Sequence, residues 1–551
     1  MKKLASIILM MCFVLFSCTD LDEQVLDTAV GEGILDDPAA AAATLAPVYA
    51  QYNSVYSHHN TLYNMQSIAS DESIVPFRGG TDWFDGGRFI EMHQHTWTPT
   101  HVTVREVWSD LTQGIAKAAV ARQTLSELDH PDQALYSAEA RAMGAFWNMV
   151  LLDLYGLTFE KLPENVGTTE LSTIYRGEEA VNFIISEFDA AEPNLGTFDQ
   201  VGSTRMTKAA TWALKARLLL NKAVYVDRYA NSFNFSQQDM DEVINYTTMV
   251  INTGDYALEE DNYFSMWNID NHDHQEHIFA FQQTFENEGQ NRHAWFGSSR
   301  ARHGSLVNLN VTGSDGVSQT TEFYDMWEGN RNDPRYFQRN TPDSGSIPEE
   351  EWEWNRGIQI GQQYGIVLND EGTDFKRDEN GDLVIEPLVD TPRSGLPLNY
   401  TREVGLTQNT NHITGARALK FQFDPLAIAG QRFSRVNIPV IRIADMYLMR
   451  AEAHLRNGDA GLALDDVNAV RSARGADLLS SIDMQSMEME RVYEFYSEML
   501  RRTDMVRFGK WEDSWIDKTS SNPIRRLFPI PQDAIDAASG EPGYLEQNQG
   551  Y

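Results

Sequence analysis

Cysteine is almost absent from this 551-residue chain, which holds only Cys12 and Cys18. A disulfide framework is therefore excluded as its source of stability. Positive charge is also scarce: 44 Lys+Arg stand against 80 Asp+Glu, for a formal net charge of −36. Such a field repels phosphate backbones and anionic headgroups, so no nucleic-acid partner is expected. Catalytic signatures are missing too. There is no GxSxG elbow, no HExxH, no GxxxxGK[ST], and no GxGxxG between a strand and a helix. A glycosidase escapes this exclusion, because its two carboxylates can lie anywhere in the sequence. With acids this abundant, chance pairs carry no information. No catalytic residue, cofactor or metal is assigned.

What is present begins with an address. Lys2 and Lys3 precede an apolar stretch over residues 4–16 that is too short to span a bilayer. The stretch ends in LFSC, with Leu15 at −3 and Ser17 at −1 before Cys18, which resembles a bacterial lipoprotein box. Cys12 would leave with the signal peptide (1–17), so the mature chain would hold one cysteine, at its first position. Acylation of Cys18 explains that placement, and acyl chains at ~0.8 kcal/mol per buried CH₂ anchor a protein firmly. Ordinary secretory cleavage near Ser17 is the alternative. The acidic TDLDEQ that follows resembles a surface-export signal, within a tether over 18–37, and it also reads as a solvated spacer.

The remaining chain is mainly helical. In residues 441–474, Ile441, Ala444, Leu448, Ala451 and Leu455 step by three and four, giving one apolar helical stripe. Gly458 suits the left-handed C′ position, and Asp459 suits the N-cap of a second helix. Two helices joined so tightly lie antiparallel, and 34 residues is the tetratricopeptide period. Similar patterns recur over 38–254. A long helix is expected from Pro38 to Ala69, with others ending near Gly156, Pro193 and Gly254. The fold expected is a tetratricopeptide-like helix-pair solenoid: 38–254 as helical scaffold, 441–551 completing it, and 255–440 inserted between.

The insertion is irregular and rich in Gly, Asn, Asp and aromatic residues, with short β-hairpins. One hairpin is expected around Asn380-Gly381, a dipeptide favoured in type I′ turns. Long irregular segments on a rigid scaffold are where binding sites usually lie. His272, His274 and His277 could in principle hold zinc, but no ligand geometry is fixed, and solvated or core histidines are the reading adopted.

Tryptophan is more informative. Trp83, Trp295, Trp352 and Trp354 sit among Gly, Asn, Asp, Arg and Glu rather than on apolar stripes. Sugar rings present C–H faces that stack on indole, while their hydroxyls need Asp, Asn or Arg partners. RGGTDWFDGG, Arg78 to Gly87, offers both kinds of group.

Several segments together resemble one family: IRIADMYLMRAEAHLRNGDAGLALDDVNAVRSARGA, RVYEFYSEMLRRTDMVRFGKW and LFPIPQDAIDAASGEPGYLEQNQGY. With the lipoprotein start, they resemble the SusD/RagB family of Bacteroidetes outer-membrane nutrient-binding lipoproteins. Gln549 stands where proline is commoner in the family. The resemblance implies non-catalytic glycan capture at the cell surface, beside a partner TonB-dependent transporter of the SusC type. Peptide capture is the alternative within the family, and a surface glycosidase is the alternative outside it. The family offers no transferable ligand motif, so the expected ligand residues rest on loop placement. They are Trp83, Trp295, Trp352 and Trp354 for stacking, with Arg78 and Asp82 for hydroxyls.

Overall fold

The structure is a computed structural model that describes residues 39–80, 82–284, 291–300, 312–390, 394–408, 410–424 and 434–551. Cys18, the signal segment and the tether lie outside the described residues. The scaffold helices are α1 (Ala40–Ala50), α2 (Val102–Ser126), α3 (Gln133–Tyr155), α4 (Gly177–Ala191), α5 (Lys208–Leu220), α6 (Gln237–Thr253), α7 (Ile443–Arg456), α8 (Ala460–Ala473), α9 (Met484–Phe495) and α10 (Arg501–Arg507). Helix packs on helix in sequence: α2 on α3, α3 on α4, α4 on α5, α5 on α6, α6 on α7, and α7 on α8. The α6–α7 contact matters most, because it joins helices separated by the whole insertion. The solenoid is therefore continuous in space though interrupted in sequence.

Small residues set the spacing. A Cβ on Gly114 of α2 would stand 2.9 Å from the Trp147 indole of α3, so only glycine lets those helices close. Gly156 and Gly254 end α3 and α6 in the left-handed conformation expected of C-terminal glycines. Gly458 is left-handed as well, at φ 91°. Asp459 precedes α8, but its side chain makes no cap hydrogen bond.

Two expectations need correction. The helix anticipated over 38–69 breaks after Tyr56 and resumes as a π turn at Asn64–Ile68. The Thr61 hydroxyl donates to the Val55 and His58 carbonyls, and this local bonding competes with a helical ladder. Ile441 does not start α7 either. It lies in a strand, because the apolar run before α7 finds a pairing partner far back in the chain.

The insertion's strands include β1 (His277–Phe281), β2 (Gly345–Ile347), β3 (Tyr364–Ile366), β4 (Leu383–Pro387) and β5 (Ile438–Arg442). β1 and β5 pair antiparallel and tie the two ends of the insertion together. β4 lies between β3 and β2 in a three-stranded antiparallel sheet. A turn does form at Asn380-Gly381, but only Gly381 has positive φ, so it is not type I′. Asp378 Oδ1 instead accepts the Asn380 and Asp382 amides, and the loop is wider. The insertion shares the solenoid's core. Phe281 of β1 lies over Tyr52 at 4.6 Å and stacks on Trp147 at 5.9 Å and 6°. The chain's last residues fold back too: Tyr551 Oη donates to the Leu527 carbonyl, and Asn548 Nδ2 to those of Tyr155 and Phe528.

A chain this acidic keeps many of its arginines inside. Glu494 on α9 accepts from Arg335 of the insertion (3.0 Å), Arg442 of β5 (2.6 Å) and Arg474 after α8 (2.7 Å), all fully buried. Burial alone would raise the Glu494 carboxyl, but those three guanidiniums outweigh it and hold it well below the usual carboxylate range. Asp445 of α7 pairs with Arg217 and Arg491, and Glu452 of α7 pairs with Arg456 and Arg507. Burial opposes the cations there as well, yet both carboxyls are lowered to about 2.

These shifts fix the acid response. A carboxyl depressed in the folded state gives stability that is full above its unfolded value, about 3.9 for Asp and 4.3 for Glu. That stability is lost as pH falls from there through about 2. Burial pushes the His293 and His101 imidazoles down to about 4, so their contribution is full above about 6.5 and lost as pH falls toward 4. Glu72 opposes this trend: burial raises it to about 7, so its contribution is lost as pH rises from about 4.3 to 7. The expected result is a urea midpoint that falls between pH 6.5 and 4 and falls more steeply below 4. A flat profile down to pH 3 would contradict the assignment.

Candidate functional site

The strongest local anomaly is the loop at 78–87. Trp83 and Asp85 hold φ values of 60° and 40°, and Gly79, Gly80, Gly86 and Gly87 are also left-handed. Glycine adopts that region freely, but a tryptophan there costs on the order of 1–3 kcal/mol, and such strain concentrates at functional sites. The strain fixes where the indole lies. Trp83 Nε1 donates to the Ser314 carbonyl at 3.1 Å. Its ring meets the edges of Phe296 (5.1 Å) and His59 (5.5 Å), and lies 5.9 Å from Trp295 at 58°.

Trp83 and Trp295 are both partly exposed, and Phe84 beside them is 48% exposed. Asp82 stands at the same loop, paired at 3.3 Å with the exposed Arg300. The floor beneath the indoles is uncharged: burial first, then the nearby Arg292, holds the His59 imidazole well below its ordinary value. Two indoles over a neutral floor, rimmed by a carboxylate and a guanidinium, make an amphipathic platform. Such a surface can take a ring with apolar faces and polar edges.

The residues expected from sequence divide into two groups. Trp83, Trp295 and Asp82 come together, although 212 positions separate the two tryptophans (295 − 83). Arg78 belongs to the same loop but turns inward. It is 6% exposed, and its guanidinium donates to the Asp315, Asn411 and Gly316 carbonyls and to Ser318 Oγ at 2.8 Å. Arg78 braces the loop instead of reaching toward solvent. Trp352 and Trp354 form a separate pair at 6.4 Å. Trp354 is buried, with its face covered by Phe423 at 5.2 Å and 13°, so no ligand ring can stack there. Trp352 packs against the cluster of Ile366, Phe375, Leu383 and Ile385 around the β3–β4 sheet.

Phe84, Arg300 and His59 were not anticipated from the sequence. Phe84 adjoins Trp83 and was accessible to the same argument. Arg300 lies more than two hundred residues away, and nothing local marks it.

The histidines resolve as structural groups. His277 is fully buried on β1, and His274 sits 3.2 Å from Glu259. Among the described residues, no group of three His, Cys, Asp or Glu is arranged to hold a metal ion.

Fold and site together define a helix-pair solenoid whose loops carry an aromatic platform. Residues 275–515 match the model of the SusD family, SusD_RagB. The starch-binding protein SusD of Bacteroides thetaiotaomicron is 23% identical over 526 residues, 90% of this chain and 86% of the relative. A solved SusD-like protein from Bacteroides fragilis shares the fold at TM-score 0.67 and 19% identity, covering 96% of this chain and 99% of that one. So does surface glycan-binding protein A from Bacteroides thetaiotaomicron in complex with laminarihexaose, at TM-score 0.64 and 16% identity over 92% and 98%.

Proposed function

We propose that this protein captures glycans at the cell surface on the Trp83–Trp295 platform. It binds without catalysis and passes the oligosaccharide to a TonB-dependent transporter of the SusC type. The observation that carries the reading is a tryptophan held in strained backbone to pair with a second indole, both partly exposed. The names of the relatives support glycan over peptide as the ligand class. Calorimetry against a panel of neutral and acidic polysaccharides and unstructured peptides tests it. Binding to a glycan and to no peptide is expected. Peptide binding alone would overturn the proposal, and release of reducing sugar would turn it toward a hydrolase.

The anchor is part of the same proposal. Acylation of Cys18 would hold the protein on the outer membrane, with the acidic tether directing it outward. Cys18→Ala is expected to appear in the soluble periplasmic fraction. Retention in the membrane fraction would contradict acylation at that residue.

A further inference from the structure

On the other flank of the strained loop lies a polar cleft of about 620 Å³, within the roughly 300–1,000 Å³ of small-ligand sites. Asp85, Arg88 and Glu91 line it, with Thr96, Thr98 and Thr100 on its rim and His101 at the start of α2. The three threonines are exposed, and Thr98 and Thr100 share a hydrogen bond at 3.0 Å.

The chemistry of these groups is mixed in a specific way. Two carboxylates accept, and three hydroxyls can donate or accept. His101 Nε2–H donates to the Arg88 carbonyl at 3.1 Å, which leaves Nδ1 an acceptor, and Nδ1 has no hydrogen-bond partner among the described residues. His101 is the N-cap of α2 yet makes no side-chain cap bond, so first-turn amides remain as donors. An anion would meet Asp85 and Glu91, while the one guanidinium of the lining, Arg88, is already paired with Glu106. Among the described residues no three His, Cys, Asp or Glu, Asp85, Glu91 and His101 included, are arranged to hold a metal ion. A neutral polyhydroxylated chain suits the set, because each sugar hydroxyl both donates and accepts.

We infer that this cleft is a second subsite for a neutral oligosaccharide, continuous with the Trp83 platform through the exposed Phe84. Asp85, which lines the cleft, is two residues from Trp83 on the same loop. The inference rests on the glycan reading above. It adds that affinity depends on chain length.

The test uses the full chain and oligosaccharides of increasing length, from the disaccharide upward, cut from the polysaccharide that the panel selects. Wild-type affinity is expected to keep rising past the length that saturates the platform. Glu91→Ala with Thr98→Val, at a partly exposed and an exposed position, is expected to cost about tenfold on the long members and less than twofold on the short ones. Thr98→Val with Thr100→Val is expected to act in the same direction and guards against misfolding of the first variant. Wild-type affinity of both variants for every length would overturn the cleft while leaving the platform standing. Unchanged binding by Trp83→Ala would instead overturn the platform reading. If no oligosaccharide binds, both fall.

Discussion

Glu494→Leu is expected to lower the unfolding free energy by about 3–5 kcal/mol, the cost of leaving buried charges without their partner. The carboxylate accepts from Arg335, Arg442 and Arg474, which come from the insertion, from β5 and from the segment after α8. Arg442 and Arg474 keep Glu276 as a second partner, at 3.1 and 2.7 Å, so the loss is large but not total. Arg335 keeps Asp333 and Glu490. Urea denaturation followed by circular dichroism measures the change. Arg339→Ala is the control, since it removes a pair whose side chains are 54% and 56% exposed. Pairs of that kind contribute about 0–1 kcal/mol. Equal effects of the two substitutions would show that the buried network does not hold the insertion to the solenoid.

Trp83→Ala is expected to weaken glycan binding by about 1–3 kcal/mol, taking interface anchors as the guide. That is roughly a fivefold to 150-fold rise in Kd. Trp354→Ala supplies the contrast. Its ring is buried against Phe423, so its loss should cost about 3–5 kcal/mol of stability while leaving affinity unchanged. The opposite pattern, with Trp354 governing affinity and Trp83 only stability, would move the site to the β3–β4 sheet.

Helix ends were legible in the sequence because their cause is local. Gly156, Gly254 and Gly458 each stop a helix in the left-handed conformation that an L side chain resists. The solenoid followed from periodicity for the same reason. Ile441 was misplaced because a short apolar run fits a strand or a helix equally, and its partner strand lies about 160 residues earlier. Arg78 shows the same limit at the site. RGGTDWFDGG identified the right loop, but the carbonyls that draw the guanidinium inward belong to residues 315–316 and 411–414. The indoles of Trp352 and Trp354 both have charged neighbours in sequence, yet Phe423 covers Trp354, and Trp352, partly exposed, packs against the β3–β4 sheet. Composition located the loops, and only tertiary contacts decided which side chains face out.

The most direct measurement is a crystal structure of the full chain with a bound oligosaccharide. The account predicts a sugar ring against the Trp83 and Trp295 indoles, with hydroxyls bonded to Asp82 or Arg300. A sugar bound elsewhere, with both indoles uncontacted, would contradict it.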